Sequence, residues 1–404
     1  MNKKLLAVAV AGALAAPGLA MAQSSVTISG ILKGSFDQFS IGNANTARTG
    51  NLSETRVSDH SSRIIFNMTE DLGGGLKAIG QFDLRFNLDQ TSRLTADYTT
   101  ATTTATMAPS VNPVSSGNNH VGLAGNWGSV KLGRQDIYYV DTASVLPASA
   151  HIGVTSQPIF HSLATMNASR TPNLAWYESP RMSGVRGIVA YSTNPLRASG
   201  TNEAENDLGT GSRKGGGVYA KLDANIGNAN VFYSFVNAKS DYVGGTMSAA
   251  GDSISTTQNV TANQKGQTIG GTYNFGGGLK AGLGYSSEKS VSVATGATTK
   301  ANAAQASIAY TTAAHTIGYE YNKVGDKSVD GVATQGSNAK SNAFVYDYAL
   351  SKRTNVGASY FVMTNGSAGT ISPFYQGNNA FGGQFKSLAG EKYTITSVVL
   401  RHAF

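Results

Sequence analysis

Charged side chains are sparse in this chain, and many of them fall at every second position. Over residues 76–88, Lys77, Ile79, Gln81, Asp83, Arg85 and Asn87 share one parity, and Leu76, Ala78, Gly80, Phe82, Leu84, Phe86 and Leu88 share the other. Successive side chains of a strand point to opposite faces, so this spacing sets charges and amides on one sheet face and apolar groups on the other. The same parity puts Lys33, Arg63, Lys77, Arg85 and Arg186 on polar faces, with Asp37, Asp83, Glu320 and Asp347 as the acids. Fixed charges on a wet wall can orient and select ions; they make and break no bonds.

Constellations for bond-making chemistry are missing. The six histidines (His60, His120, His151, His161, His315 and His402) are scattered. No H-E-x-x-H pair sets two metal ligands on one helical face, and there is no G-x-S-x-G elbow or Walker-type phosphate loop. With no cysteine, thiolate metal sites and disulfides are excluded. Gly215-Gly216-Gly217 and similar runs begin or end alternating segments, which reads as turn or bulge glycine. No catalytic residue, metal site or cofactor is expected.

The elements that carry these charges must be strands. Of 404 residues, 13% are charged, against roughly 25% in ordinary soluble domains, and 48 are glycine. Low charge with 40% hydrophobic content argues against a disordered chain. Beyond residue 22, no apolar run approaches the ~18 residues of a membrane helix. The basic residues are dispersed, without a basic helix or an aromatic–basic stripe, so nucleic acid is not an expected partner.

The first 22 residues read as an export signal. Lys3 and Lys4 form a positive start, Leu5 to Ala16 is an apolar stretch of signal length, and Ala20-Met21-Ala22 is a small-x-small cleavage site. The expected mature chain is 23–404. It keeps 29 basic residues against 23 acidic ones, a net charge of +6.

Alternating segments recur along this chain and come in pairs. Short connections join them at Thr69–Gly75, Gly125–Gly128, Ser179–Gly184, Ala224–Asn228, Asn274–Gly278, Thr311–Ala314 and Ser351–Thr354. Gly and Asn there supply the positive φ of tight hairpins. Longer polar stretches separate the pairs, at about 40–58, 89–118, 136–169, 193–214, 239–265, 287–301, 323–340 and 364–389. Seven hairpins and one strand at each end make about sixteen strands. Short turns alternating with long loops are the pattern of an outer-membrane barrel. Lipid cannot satisfy a free sheet edge, so the sheet must close, first strand on last. The expectation is an all-β fold, a 16-stranded antiparallel transmembrane β-barrel with short periplasmic turns, long extracellular loops and a water-filled lumen. The last strand ends on Phe404, which resembles the assembly signal of outer-membrane barrels and implies the barrel-assembly machinery as a partner.

Several runs resemble the general diffusion porins of the neisserial and beta-proteobacterial type. Ser61-Ser62-Arg63, followed by Thr69-Glu70-Asp71-Leu72-Gly73-Gly74-Gly75-Leu76-Lys77-Ala78, resembles that family's first hairpin. Val121-Gly122-Leu123 through Lys131-Leu132-Gly133-Arg134-Gln135, Arg170-Thr171-Pro172-Asn173 with Trp176-Tyr177-Glu178, and the terminal Leu400-Arg401-His402-Ala403-Phe404 extend the likeness. The resemblance implies an outer-membrane homotrimer for passive diffusion of ions and small hydrophilic solutes. It also implies that the third long loop, 136–169, folds inward as a constriction. Arg63, Arg134 and Arg170 sit where the matched motifs carry wall arginines. Arg85 and Lys33 join them by parity. Asp136 and Asp141 are the acids of that loop. For each base, a solvated rim charge is the other reading. Arg134 shares parity with Val130 and Leu132, so it turns inward only if the strand bulges near Gly133 or has left the membrane band.

The net positive charge suggests weak anion preference. Dispersed bases also suit lipid and lipopolysaccharide phosphates outside the barrel. Tyr285, Tyr310, Tyr319, Tyr346 and Trp176 read as interface aromatics or, equally well one by one, as ordinary sheet aromatics. The competing readings are a substrate-specific channel on the same barrel and, more distantly, a barrel-embedded enzyme or adhesin.

Overall fold

The computed structural model describes residues 24–48, 52–86, 88–89, 117–138, 141–147, 170–193, 195, 215–239, 247–248, 257–258, 262–292, 295–373 and 387–404. Sixteen barrel strands run through them: β1 (Ser25–Gly42), β2 (two segments, Ser53–Asp59 and Arg63–Gly73), β3 (Leu76–Arg85), β4 (Asn119–Gly125), β5 (Gly128–Gln135), β6 (Thr171–Glu178), β7 (Val185–Ser192) and β8 (Gly216–Ile226). The second half holds β9 (Ala229–Lys239), β10 (Ala262–Gly276), β11 (Leu279–Ser292), β12 (Thr298–Thr312), β13 (His315–Val324), β14 (Ala339–Ala349), β15 (Thr354–Asn365) and β16 (Lys392–Ala403). Each pairs antiparallel with the next, and β16 returns to β1 over Ile31↔Ala403 to Gly42↔Lys392, closing the barrel. The described residues contain no helix.

Alternation decides which face each side chain takes. On β1, Lys33, Ser35 and Asp37 are buried inside, while Val26, Ile28, Leu32 and Phe36 project outward, Phe36 at 59% exposed. The outer face continues with Val121, Leu132, Val189, Leu222, Ile269, Leu283, Ile317 and Phe344. An exposed apolar band of this extent is incompatible with water around it and needs an apolar surrounding. Along the paired registers the backbone polar groups meet those of neighbouring strands, and the closed sheet leaves no edge to lipid.

Short turns gather at one end. Gly276, Gly277 and Gly278 take φ of 82°, 57° and 90°, which residues with a Cβ rarely adopt. The described parts of the long connections lie at the other end. Several of them differ from expectation, among them 40–58, where β2 already begins at Ser53. The stretch 287–301 is mostly strand: β11 runs to Ser292 and β12 resumes at Thr298. Its Ser, Lys and Thr content reads as loop because these residues lie above the apolar band. The stretch 323–340 contains a small ladder, Ser328–Val329 with Val332–Ala333. β2 is interrupted at residues 60–62, where Ser61 has a φ of 63° and the Ser62 hydroxyl accepts the Lys33 amide at 3.0 Å.

Two apolar clusters lie inside the barrel. One includes Phe39, Phe361, Met363, Tyr393 and Ile395, with Leu146 against it. The other holds Ile137, Tyr138, Leu174, Trp176, Tyr219 and Val236. Trp176 is therefore not an interface aromatic: it is 3% exposed and its Nε1 donates to Glu178 at 2.8 Å. Tyr285, Tyr310 and Tyr346 do lie on the outer face.

Candidate functional site

The inner wall formed by β2 to β6 carries a cluster of fixed charges. Arg63 and Arg85 are directly opposite each other across the β2–β3 ladder. Arg85 donates to Asp83 Oδ2 from Nη2 at 3.0 Å and from Nε at 3.2 Å. The same Asp83 oxygen accepts the Asn118 amide at 3.3 Å. The charges acting on Arg63 are Arg85, Asp83, Arg170 and Asp136. Arg170, held at a φ of 47°, donates its amide to Asp136 Oδ1. The Asp136 amide in turn donates to Asn118 Oδ1 at 3.2 Å.

Arg134 joins this group through a slip in the sheet. The β5–β6 register shifts between Gly133 and Gln135, and Gly133 takes a φ of 148°. A bulge redirects the side chain that follows it. Arg134 is half-buried and its Nε donates to the Arg170 carbonyl at 3.0 Å. Lys33 lies beside the cluster on β1, directly opposite Arg401 of β16. Arg401 and Arg63 are its charged neighbours of like sign, Asp347 and Asp59 of opposite sign. Arg63, Arg85, Arg134, Arg170 and Asp136 thus stand together, and Lys33 borders them.

Asp141 is elsewhere. Residues 136–138 and 141–147 lie along the inner wall between β5 and β13. Asp141 accepts hydrogen bonds from Lys221 of β8 and Ser234 of β9. Tyr138 accepts from Thr268 of β10 at 3.1 Å and donates to Glu288 of β11 at 3.3 Å. Burial pushes the Tyr138 hydroxyl well above its ordinary range, and the Glu288 charge adds to that. The Ala143 amide donates to Gln305 of β12 at 2.6 Å, and Ser307 donates to the Ala143 carbonyl at 2.7 Å. Three glycines make room. A Cβ at Gly282 would lie 1.9 Å from the Ala143 carbonyl, one at Gly266 2.4 Å from the Tyr138 hydroxyl, and one at Gly318 2.6 Å from Leu146. Residues 139–140 and 148–169 of the expected constriction loop lie outside the described residues.

Sequence reasoning missed two ionic groups. Toward the short-turn end, Lys131 reaches Glu178 at 2.8 Å, and Asp223 takes Arg186 at 2.9 Å as well as Arg181. Parity alone marks Lys131, Glu178 and Asp223 as inward, and that signal was available. At the long-loop end, Arg48 binds both oxygens of Glu391, which also accepts from Tyr393 and from the Leu388 amide at 2.8 Å. Burial would raise the Glu391 carboxyl, but the hydrogen bonds from Arg48 and Tyr393 outweigh it and hold it at about 2. Pairing between residues so distant in the chain leaves no local trace.

Phe404 completes the closing seam. Its amide donates to the Gly30 carbonyl at 3.1 Å, and the Gly30 amide donates back at 3.0 Å.

The combination is a closed wall, apolar outside, with mixed fixed charges and small polar groups within. It can pass and sort small charged solutes. Comparison with known proteins agrees. A family model described as Gram-negative porin matches residues 7–368. Outer membrane porin protein 32 of Delftia acidovorans is 28% identical over 410 residues, covering 100% of both chains. Major outer membrane protein P.IB of Neisseria meningitidis serogroup B / serotype 15 (strain H44/76) is 29% identical over 198 residues, 48% of this chain and 50% of that protein. The solved anion-selective porin from Comamonas acidovorans superposes with a TM-score of 0.66 at 21% identity, covering 95% of this chain and 100% of that one. In-vitro folded OmpT of Vibrio cholerae gives 0.61 at 13%, covering 96% and 99%.

Proposed function

The chain belongs to the Gram-negative porin family, and from that premise we propose that it is a weakly anion-selective general diffusion channel. It resides in the outer membrane of Gram-negative bacteria, and its lumen is a path for passive diffusion of ions and small hydrophilic solutes. The observation that carries the selectivity is the cluster of Arg63, Arg85, Arg134 and Arg170, which outnumbers Asp83 and Asp136 on the same wall. Low-dielectric walls focus the field of such charges into the lumen, where a solute cannot avoid them. Charges far from the narrowest level count less, because salt screens them beyond ~8 Å. The matching porin of Comamonas acidovorans is anion-selective, which supports the same sign here.

In this reading residues 136–169 form the constriction. The ties of Asp141, Tyr138 and Ala143 to the opposite strands support a segment fixed within the lumen. Residues 1–22 act as a cleaved export signal, and Phe404 is read by the barrel-assembly machinery. The working unit is a homotrimer embedded among lipid and lipopolysaccharide, without enzymatic activity.

Liposome swelling tests the diffusion reading against a substrate-specific channel. Permeation that falls smoothly with sugar size supports diffusion. Saturable uptake of one solute class at similar size would contradict it.

A further inference from the structure

We propose that the outer face of β10 to β14 is a built site for phosphorylated headgroups of outer-leaflet lipid. Lys265, Lys289, Lys300, Lys323 and Lys340 lie one per strand on this face, all exposed and all sharing parity with the apolar band. Lys265 is directly opposite Lys289, Lys289 directly opposite Lys300, and Lys323 directly opposite Lys340. Like charges opposite each other destabilise a sheet, so such a row calls for anions from outside. Among the described residues none of the five forms an ion pair. The acids of the nearby connection are occupied: Asp330 accepts the Thr298 amide at 2.7 Å, and Asp326 accepts from Asn338.

The level of the row fits a headgroup. Lys289 is ten residues above the start of β11 at Leu279. Ten residues at ~3.3 Å each, tilted by about 40°, climb about 25 Å, the height of the apolar band. Directly below, Ile269, Leu283, Tyr285, Ala304, Ala306 and Tyr321 line an apolar groove of about 440 Å³. A cationic row over an apolar groove matches an amphiphile with a phosphate above and an acyl chain below. A second copy of the chain is a poorer fit, since lysine is depleted at protein interfaces. Lys265 also rests 5.6 Å from the Phe235 ring centroid, which holds its charge at this level.

This inference deepens the outer-membrane reading and rests on it. The test titrates the folded full-length protein with lipopolysaccharide in neutral detergent and counts bound lipid per barrel by native mass spectrometry. The variant carries Lys265→Gln, Lys289→Gln and Lys300→Gln. Each lysine near an anionic surface is worth about fivefold, so apparent affinity should fall at least about tenfold. Channel conductance should stay unchanged, because the row faces away from the lumen; that readout separates failure of this site from failure of the channel reading. Equal lipid binding by variant and wild type would overturn the proposal. So would displacement of the lipid by millimolar inorganic phosphate, which would mark a free-anion site. A changed oligomeric state with unchanged lipid binding would mark a contact between copies and overturn it as well. Ala306→Phe fills the groove and keeps every lysine. It should also weaken lipid binding, and unaltered binding would overturn the proposal even if the triple variant fails to fold.

Discussion

Arg63 and Arg85 face each other across a single ladder on the inner wall, two like charges where a sheet normally avoids them. Asp83 bonds Arg85, and Arg170 adds a third guanidinium to the charges around Arg63. A wall that tolerates this arrangement concentrates positive charge where solutes pass. Replacing Arg63 and Arg85 by alanine should therefore lower anion preference. A unit charge about 4 Å away is worth about 1 kcal/mol in water, or about fivefold in anion occupancy. Reversal potentials under a salt gradient check this; unchanged selectivity would move both arginines out of the constriction.

Tyr138, Ala143 and Leu146 are seated against glycines of the barrel wall. Gly282→Ala would drive a methyl into the Ala143 carbonyl, and overpacking of this kind costs about 1–3 kcal/mol. Ala143 should shift while the barrel persists. Altered single-channel conductance with unchanged heat-modifiable migration on gels is the expected pair of results. Asp141→Asn should weaken the tie to Lys221 in the same region and raise current noise.

Acid should release the Arg48–Glu391 tie at the extracellular end. The Glu391 carboxyl is lowered from an ordinary 4.5 to about 2 by the Arg48 and Tyr393 hydrogen bonds, which outweigh its burial. A depressed carboxyl stabilises the fold above its unfolded value and loses that contribution as pH falls toward its folded value. Stability from this tie should thus be full at pH 6 and decline between about 4.5 and about 2. Glu391→Gln should flatten thermal stability across that window; an unchanged pH profile would remove the tie from the account.

Phe404 lies over Gly30, where a Cβ would come within 2.3 Å of the ring. Phe404→Ala should reduce the assembled fraction in cells. The backbone pair to Gly30 remains, so protein refolded in detergent should still form a barrel. Equal loss in both settings would make the ring a stability element rather than an assembly signal.

Much of this was legible in the chain. The alternation around Lys77 to Arg85 and around Tyr346 encodes strands with one apolar face, and the Gly-rich turns set their pairing. Closure follows from lipid, which tolerates no edge. Less legible was whatever depends on distant contacts. Gly266, Gly282 and Gly318 look like ordinary strand glycines until Tyr138, Ala143 and Leu146 are seated on them. Trp176 looks like an interface residue until Ile137 and Leu174 enclose it. Arg134 has outward parity in the sequence, and the register slip after Gly133 changes its position. The strands beyond the membrane band, at Ser287 to Ser292, carry no apolar face and so resemble loop.

Single-channel recording of the refolded mature protein in a planar bilayer under a KCl gradient tests the central claim most directly. The prediction is ohmic openings in steps of three, with a reversal potential of the sign given by chloride preference. Absence of conductance from folded, heat-modifiable protein would contradict the channel, and a reversal potential of potassium sign would contradict the role assigned to the arginine wall.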